Sequence, residues 1–150
     1  EPQTKQLMKP EQIYLMTSIL SDVVTKGTGK SAQVPGIELA GKTGTTNDNI
    51  DAWFCGYSPS IQTIIWFGKD NNTPMRKSET GGKIAAPVFS HFYKKYLEIH
   101  PEITRNFTMP ENVYTANING RSEFYTDMSP LPEVEFQAQP QNPGEEVLEF

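Results

Sequence analysis

The sequence predicts an α+β fold, an antiparallel sheet flanked by helices. Three observations carry that expectation. Two stretches, 13–24 and 85–97, repeat apolar residues at spacings of three and four, as amphipathic helices do. Three short apolar runs lie between them, the last two separated by Ser58-Pro59-Ser60, a turn of hairpin length. The resulting order, helix–strand–strand–strand–helix, is that of helices packed on an antiparallel sheet.

The elements follow in order. Residues 1–9 read as polar and extended. Pro10 opens the first helix, where its missing N–H costs nothing. Ile13, Met16, Ile19, Leu20, Val23 and Val24 form its apolar face, and Gly27-Thr28-Gly29 ends it. A loop with Pro35 and Gly36 leads to a short strand, Ile37 to Ala40, running into Gly41-Lys42-Thr43-Gly44. Thr46 to Asn49 reads as a turn. The runs 52–57 and 62–68 are apolar at nearly every position, the pattern of a sheet covered on both faces. A polar loop ends in Thr80-Gly81-Gly82. The second helix then carries Pro87 near its start and ends before Pro101. Weaker strand signals flank Asn119-Gly120, a pair suited to a tight hairpin turn. From Met128 the composition is that of a linker or disordered tail, rich in Pro, Gln and Glu. The expected divisions are therefore 1–106, 107–127 and 128–150.

Composition narrows the function classes. The chain has 150 residues, 36 % of them apolar, and 12 prolines, so part of it is not core. Residues from Glu111 onward carry a net charge of -7 against -5 for the whole, which leaves about +2 on residues 1–110. No basic cluster with interleaved aromatics argues for nucleic acid. No apolar run approaches a membrane span. The single cysteine, Cys55, excludes an internal disulfide and reads as a buried small hydrophobe. His91 and His100 read as structural or solvent-facing, and no group of residues has metal-ligand spacing. No cofactor is expected.

The informative stretch is Gly41-Lys42-Thr43-Gly44-Thr45-Thr46. Residues 36–43 match the phosphate-loop expression G-x-x-x-x-G-K-T letter for letter. The mechanism behind that expression is missing. A phosphate loop follows a buried strand and opens a helix. Here Ile37 to Ala40 read as the strand itself, and Gly44 to Asn49 start no helix. The other reading is a substrate-aligning edge strand. An ammonium there favours a carboxylate and assists proton transfer at a neighbouring hydroxyl. A threonine hydroxyl can bond the same carboxylate. Glycine lets a substrate lie against the strand, and the Thr45 N–H can face a carbonyl oxygen as half of an oxyanion hole.

The wider text strengthens this second reading. Glu11 to Met16, Gly27-Thr28-Gly29, Ala40 to Asp48, Asp51-Ala52-Trp53-Phe54, Gly56-Tyr57, Thr80-Gly81-Gly82 and Ala85-Ala86-Pro87 occur together. In this combination the chain, over roughly 8–110, resembles the C-terminal part of the transpeptidase domain of class A penicillin-binding proteins. Those are bifunctional peptidoglycan glycosyltransferases and D,D-transpeptidases with the serine β-lactamase fold. The resemblance implies catalytic roles for Lys42, which would polarise a serine of the family's middle motif, and for Thr45. It implies substrate-binding roles for Thr43, Gly44, Thr45 and Thr46. Asp51 and Trp53 would shape the next strand. Expected ligands are peptidoglycan stem peptides and lipid II-derived glycan, with β-lactams as covalent inhibitors. The expected location is the outer, periplasmic or extracellular, face of the bacterial cytoplasmic membrane, through an N-terminal anchor not contained in these residues.

Two family motifs are absent. None of the nine serines has lysine at the third following position, and none has asparagine at the second. The expectation is a part of a longer enzyme, its nucleophile on an upstream segment or a separate chain that is also its folding partner. The alternatives are a non-catalytic peptidoglycan or β-lactam recognition module and a D,D-carboxypeptidase.

Overall fold

A computed structural model describes residues 5–132. Helix α1 spans Pro10–Thr25. Its first free N–H groups, those of Gln12 and Ile13, bond the Lys9 carbonyl. Its far end is closed twice. The N–H groups of Lys26 and Gly27 return to Asp22 and that of Gly29 to Val23. The Gln33 side-chain amide, held after a short 3₁₀ turn at Lys30–Ala32, donates to the carbonyls of Val24 and Thr25. Orphan carbonyls at the helix end are thereby satisfied without a left-handed residue.

Strands β1 (Ala40–Thr45), β2 (Ala52–Tyr57) and β3 (Gln62–Phe67) form an antiparallel sheet in chain order. Lys42 stands opposite Cys55 and Gly44 opposite Trp53. Phe54 faces Thr43 on one side and Ile65 on the other. One wide, π-helical turn at Gly81–Ala85 leads into α2 (Ala86–Ile99). The core lies between α2 and one sheet face: Phe54, Phe89 and Tyr93 are wholly buried, with Val24, Ala32, Val34 and Leu39 around them. The Phe54 and Phe89 rings meet edge-on at 4.7 Å, a geometry worth about 0.5–1.5 kcal/mol beyond burial. The Tyr93 hydroxyl donates to the Ile61 carbonyl, and burial raises its pKa. A second sheet is the hairpin β4 (Tyr114–Ile118) and β5 (Arg121–Tyr125). Asn119 and Gly120 both take positive φ, 51° and 77°, as a two-residue turn of this hand requires. The hairpin rests on α1 through Tyr14 and Phe124, 5.4 Å apart.

Three expectations are corrected. The first strand begins at Ala40, not Ile37, so Lys42-Thr43-Gly44 lies inside the strand rather than at its end. Extending the register would set Glu38 against Pro59, which has no N–H to give. The Glu38 N–H bonds the Arg105 carbonyl instead, and its carboxylate takes the Phe107 N–H at 2.7 Å. Second, one sheet face is covered only in part among the described residues: Thr17 of α1 and Phe107 reach Tyr57 at one end, and the rest is open. Trp53, Ile64 and Trp66 share this face and are exposed. Third, Cys55 lies on that face and is exposed, not buried, because alternation places it opposite in direction to Phe54. The expected acidic tail falls largely outside the described residues, at 133–150. No helix among the described residues is long and apolar enough to cross a membrane.

Helix α1 matches its expected span, yet half of its apolar face is uncovered among the described residues. Ile13, Met16 and Ile19 are 46 %, 53 % and 61 % exposed. Together with Trp53, Ile64 and Trp66 on the sheet these are exposed apolar side chains of the kind that mark a contact with another segment. Residues 1–150 expressed alone are expected to melt without a sharp transition and to bind a hydrophobic dye at room temperature. A cooperative thermal transition with no dye binding would contradict this.

Candidate functional site

The strand pleat divides the predicted site residues between two faces. Thr43 and Thr45 share the face that carries α2, and Lys42 and Gly44 the opposite face. The backbone divides them a second way. The Thr46 N–H bonds the Asp51 carbonyl at 3.1 Å, in register with the ladder. Hydrogen-bonded pairs alternate along antiparallel strands. Lys42 and Gly44 therefore direct their backbone groups to β2, while Thr43 and Thr45 direct theirs to the outer edge. No strand pairs with that edge among the described residues. The Lys42 ammonium curls to the same edge and donates to the Thr43 carbonyl at 3.0 Å.

The hydroxyls are each backed by protein. Thr45 Oγ1 accepts the Gly81 N–H at 3.1 Å. Thr43 Oγ1 lies 2.7 Å from Thr28 Oγ1, the residue between the two glycines after α1. Thr46 Oγ1 accepts the N–H groups of Ile50 and Asp51 at 2.9 and 3.0 Å and so holds the turn between β1 and β2. Asp51 in turn accepts the Trp66 indole N–H at 2.9 Å, and Trp66 lies 5.9 Å from Trp53. Asn49, at φ 55°, donates its side-chain amide to the Arg76 carbonyl and ties the 68–80 loop to this turn.

Gly81 and Gly82 are where two backbones meet the strand. A Cβ on Gly81 would lie 2.2 Å from the Trp53 carbonyl oxygen and 2.6 Å from that of Gly44. One on Gly82 would lie 2.4 Å from the Thr28 carbonyl oxygen. The Thr80-Gly81-Gly82 segment is thus pressed flat on the β1–β2 pair, and only glycine permits the approach. Two cavities, of about 600 and 1020 Å³, lie elsewhere, against α1 and Phe107, and no residue of 40–46 lines them. Tyr14 lines both, its pKa raised by burial and then by the Glu38 charge. The contribution of Thr28 is the feature that reading the residues for chemistry missed. Its signal was present: a hydroxyl between two glycines just past a helix end.

Comparison with known proteins settles the family. A family model described as the penicillin binding protein transpeptidase domain matches residues 1–94. The chain belongs to the penicillin-binding protein transpeptidase family. Penicillin-binding protein 1A of Neisseria lactamica is 38 % identical over 121 residues, 80 % of this chain. Penicillin-binding protein 1B of Escherichia coli K12 is 34 % identical over 125 residues, 82 % of it. The match spans 14 % of each of those relatives. The crystal structure of penicillin-binding protein 1A from Haemophilus influenzae superposes with a TM-score of 0.69 and 26 % identity. It covers 79 % of this chain and 20 % of that one. The fold is that of a penicillin-binding transpeptidase domain, and the class A resemblance holds.

The close approach of Gly81 yields a prediction. Gly81→Ala is expected to cost about 3 kcal/mol, the upper end for overpacking, because both obstacles are backbone oxygens. The full-length protein should show a lower melting temperature for this domain, while Lys83→Ala, at an exposed position, should not. Equal melting temperatures for the two variants would refute the packing argument.

Proposed function

We propose that this chain is the substrate-aligning part of a serine-type D,D-transpeptidase that cross-links peptidoglycan stem peptides. The observation that carries the proposal is a Lys-Thr-Gly-Thr run on a sheet edge that is unpaired among the described residues, in a member of this family. A serine supplied from outside these residues attacks the carbonyl of the penultimate D-alanine. The terminal D-alanine leaves, and an acceptor amine later takes the acyl group from the serine. The enzyme would act at the outer face of the cytoplasmic membrane, anchored by a segment outside this chain. Its folding partner would be the upstream half of the same domain, seated on the uncovered faces of α1 and the sheet.

The residues take roles that their geometry supports. Lys42, already turned to the edge, supplies a positive potential for the substrate carboxylate and for proton transfer at a neighbouring serine. Thr43 and Thr45 bind that carboxylate through their hydroxyls. The edge-directed N–H of Thr45 serves the oxyanion that develops on the attacked carbonyl. Gly44 leaves room for the substrate backbone. Thr46 keeps the turn in shape with its two accepted hydrogen bonds and retains its own proton for a ligand.

Incubation of the full-length protein with a fluorescent penicillin tests the proposal. A covalent label that survives denaturing electrophoresis is expected, and Lys42→Ala should slow its formation about a hundredfold. Retained stem-peptide binding with no label in the wild type would point to a recognition module instead. A label that forms at the wild-type rate in Lys42→Ala would remove Lys42 from the chemistry.

A further inference from the structure

The two strand hydroxyls differ in what stands behind them. An N–H can only donate, so the Gly81 bond occupies a lone pair of Thr45 Oγ1 and leaves its proton free. The same logic applies to Thr43, but its neighbour is a hydroxyl. Thr28 and Thr43 lie 2.7 Å apart, and either one can donate to the other. If Thr43 donates inward, its proton is spent. If Thr28 donates outward, the Thr43 proton is free for an anion at the strand edge. A carboxylate accepts only, so its arrival favours the second order, Thr28 to Thr43 to carboxylate, in which each bond strengthens the next.

We propose that Thr28 is a positioning residue for the substrate carboxylate, acting as the hydrogen-bond donor behind Thr43. The proposal rests on the transpeptidase reading above. The fold holds Thr28 for this task from three sides. The closing bonds of α1, from Gly27 to Asp22 and Gly29 to Val23, bracket it in the chain. The buried Gly29 sits against Val23 and the Phe54 ring, where a Cβ would meet the ring at 3.1 Å. Gly82 packs on the Thr28 carbonyl, where a Cβ would lie 2.4 Å from its oxygen. The side chain itself is exposed, so it is not there to fill the core. Because Thr28 acts through a contact made with bound substrate and transition state alike, its loss should weaken binding more than the limiting rate.

The test uses the full-length protein and the kinetics of penicillin acylation. Thr28→Val removes the hydroxyl and keeps the shape, whereas Thr28→Ser keeps the hydroxyl. The second-order acylation rate should fall about tenfold in Thr28→Val, the effect of one hydrogen bond, and stay near wild type in Thr28→Ser. The loss should lie in the half-saturating concentration. The penicillin methyl ester, which has no carboxylate charge, is the control: with it, Thr28→Val and wild type should react alike. An equal loss with acid and ester would make Thr28 merely structural and overturn the proposal, as would a wild-type rate in Thr28→Val. If the valine disturbs the helix end, lowering the melting temperature, Thr28→Ala carries the same acid-to-ester comparison. A wild-type protein that takes no label at all overturns the transpeptidase reading and this proposal with it. A labelled wild type with an unaffected Thr28→Val overturns this proposal alone.

Discussion

The structure depends on a pair of glycines facing each other across two strands. Gly41 and Gly56 are partners in the β1–β2 register, and both lie on the face that carries α2. A Cβ on Gly41 would come within 2.8 Å of the Phe54 ring. One on Gly56 would come within 2.8 Å of both the Phe54 and Phe89 rings. The missing side chains make the slot into which the two rings fit. Those rings are wholly buried and join the sheet to α2. Slipping β1 by one residue against β2 would present Lys42 in place of Gly41 to that slot, so the packing of two phenylalanines also decides which way the site residues of β1 face. The chemistry at the edge is in this sense set from the core.

Local signals in the sequence were enough for the elements that are stabilised locally. Helix α1 begins at Pro10 as its chemistry requires, and the β4–β5 turn falls at Asn119-Gly120, where two positive φ angles are needed. The failures share a different cause. The start of β1 is decided by Glu38 bonding to Arg105 and Phe107, residues nearly seventy positions away in the chain, and no local pattern reports that. The burial of Cys55 was misjudged because an apolar run says that a strand wants cover on both faces. It does not say that the covering atoms are in the same stretch of chain. The residue types at the candidate site were legible, since Lys42, Thr43 and Thr45 stand in one short motif. Their partition between faces follows from alternation only once the strand's bounds and register are known. The partners behind them, Thr28 and Gly81, are brought there by tertiary packing, and only the glycines around them hinted at close approach.

The uncovered surfaces have a common logic. The outer edge of β3 directs the backbone groups of Gln62, Ile64 and Trp66 away from β2, because the Ser58 N–H bond to the Ile61 carbonyl fixes the alternation in that ladder. The exposed indole of Trp66 lies beside this edge, and its N–H is already satisfied by Asp51. Exposed strand edges with apolar side chains invite pairing with another strand. The β1 edge differs in kind. Its exposed positions carry Lys42 and threonines, a polar lining that discourages a permanent strand partner and suits a transient, charged one. The two edges of one small sheet are therefore chemically unlike, one suited to completing a fold and the other to receiving a ligand.

That asymmetry bears on why glycine-rich segments converge on β1. A hydroxyl that is to donate to a substrate anion must not donate to its own protein first. The safest protection is a donor behind it, and backbone N–H groups are donors that cannot reverse. Gly81 supplies one to Thr45, and it reaches only because the position has no side chain to strike the Trp53 and Gly44 carbonyl oxygens. At Thr43 the corresponding partner is a hydroxyl, which can reverse, and on the reading proposed above an anion would set its direction. The edge would then combine one fixed donor with one that responds to charge. On the proposed reading an anionic ligand would draw on the second donor more strongly than a neutral one, and part of a preference for a carboxylate would reside in residues that never touch it.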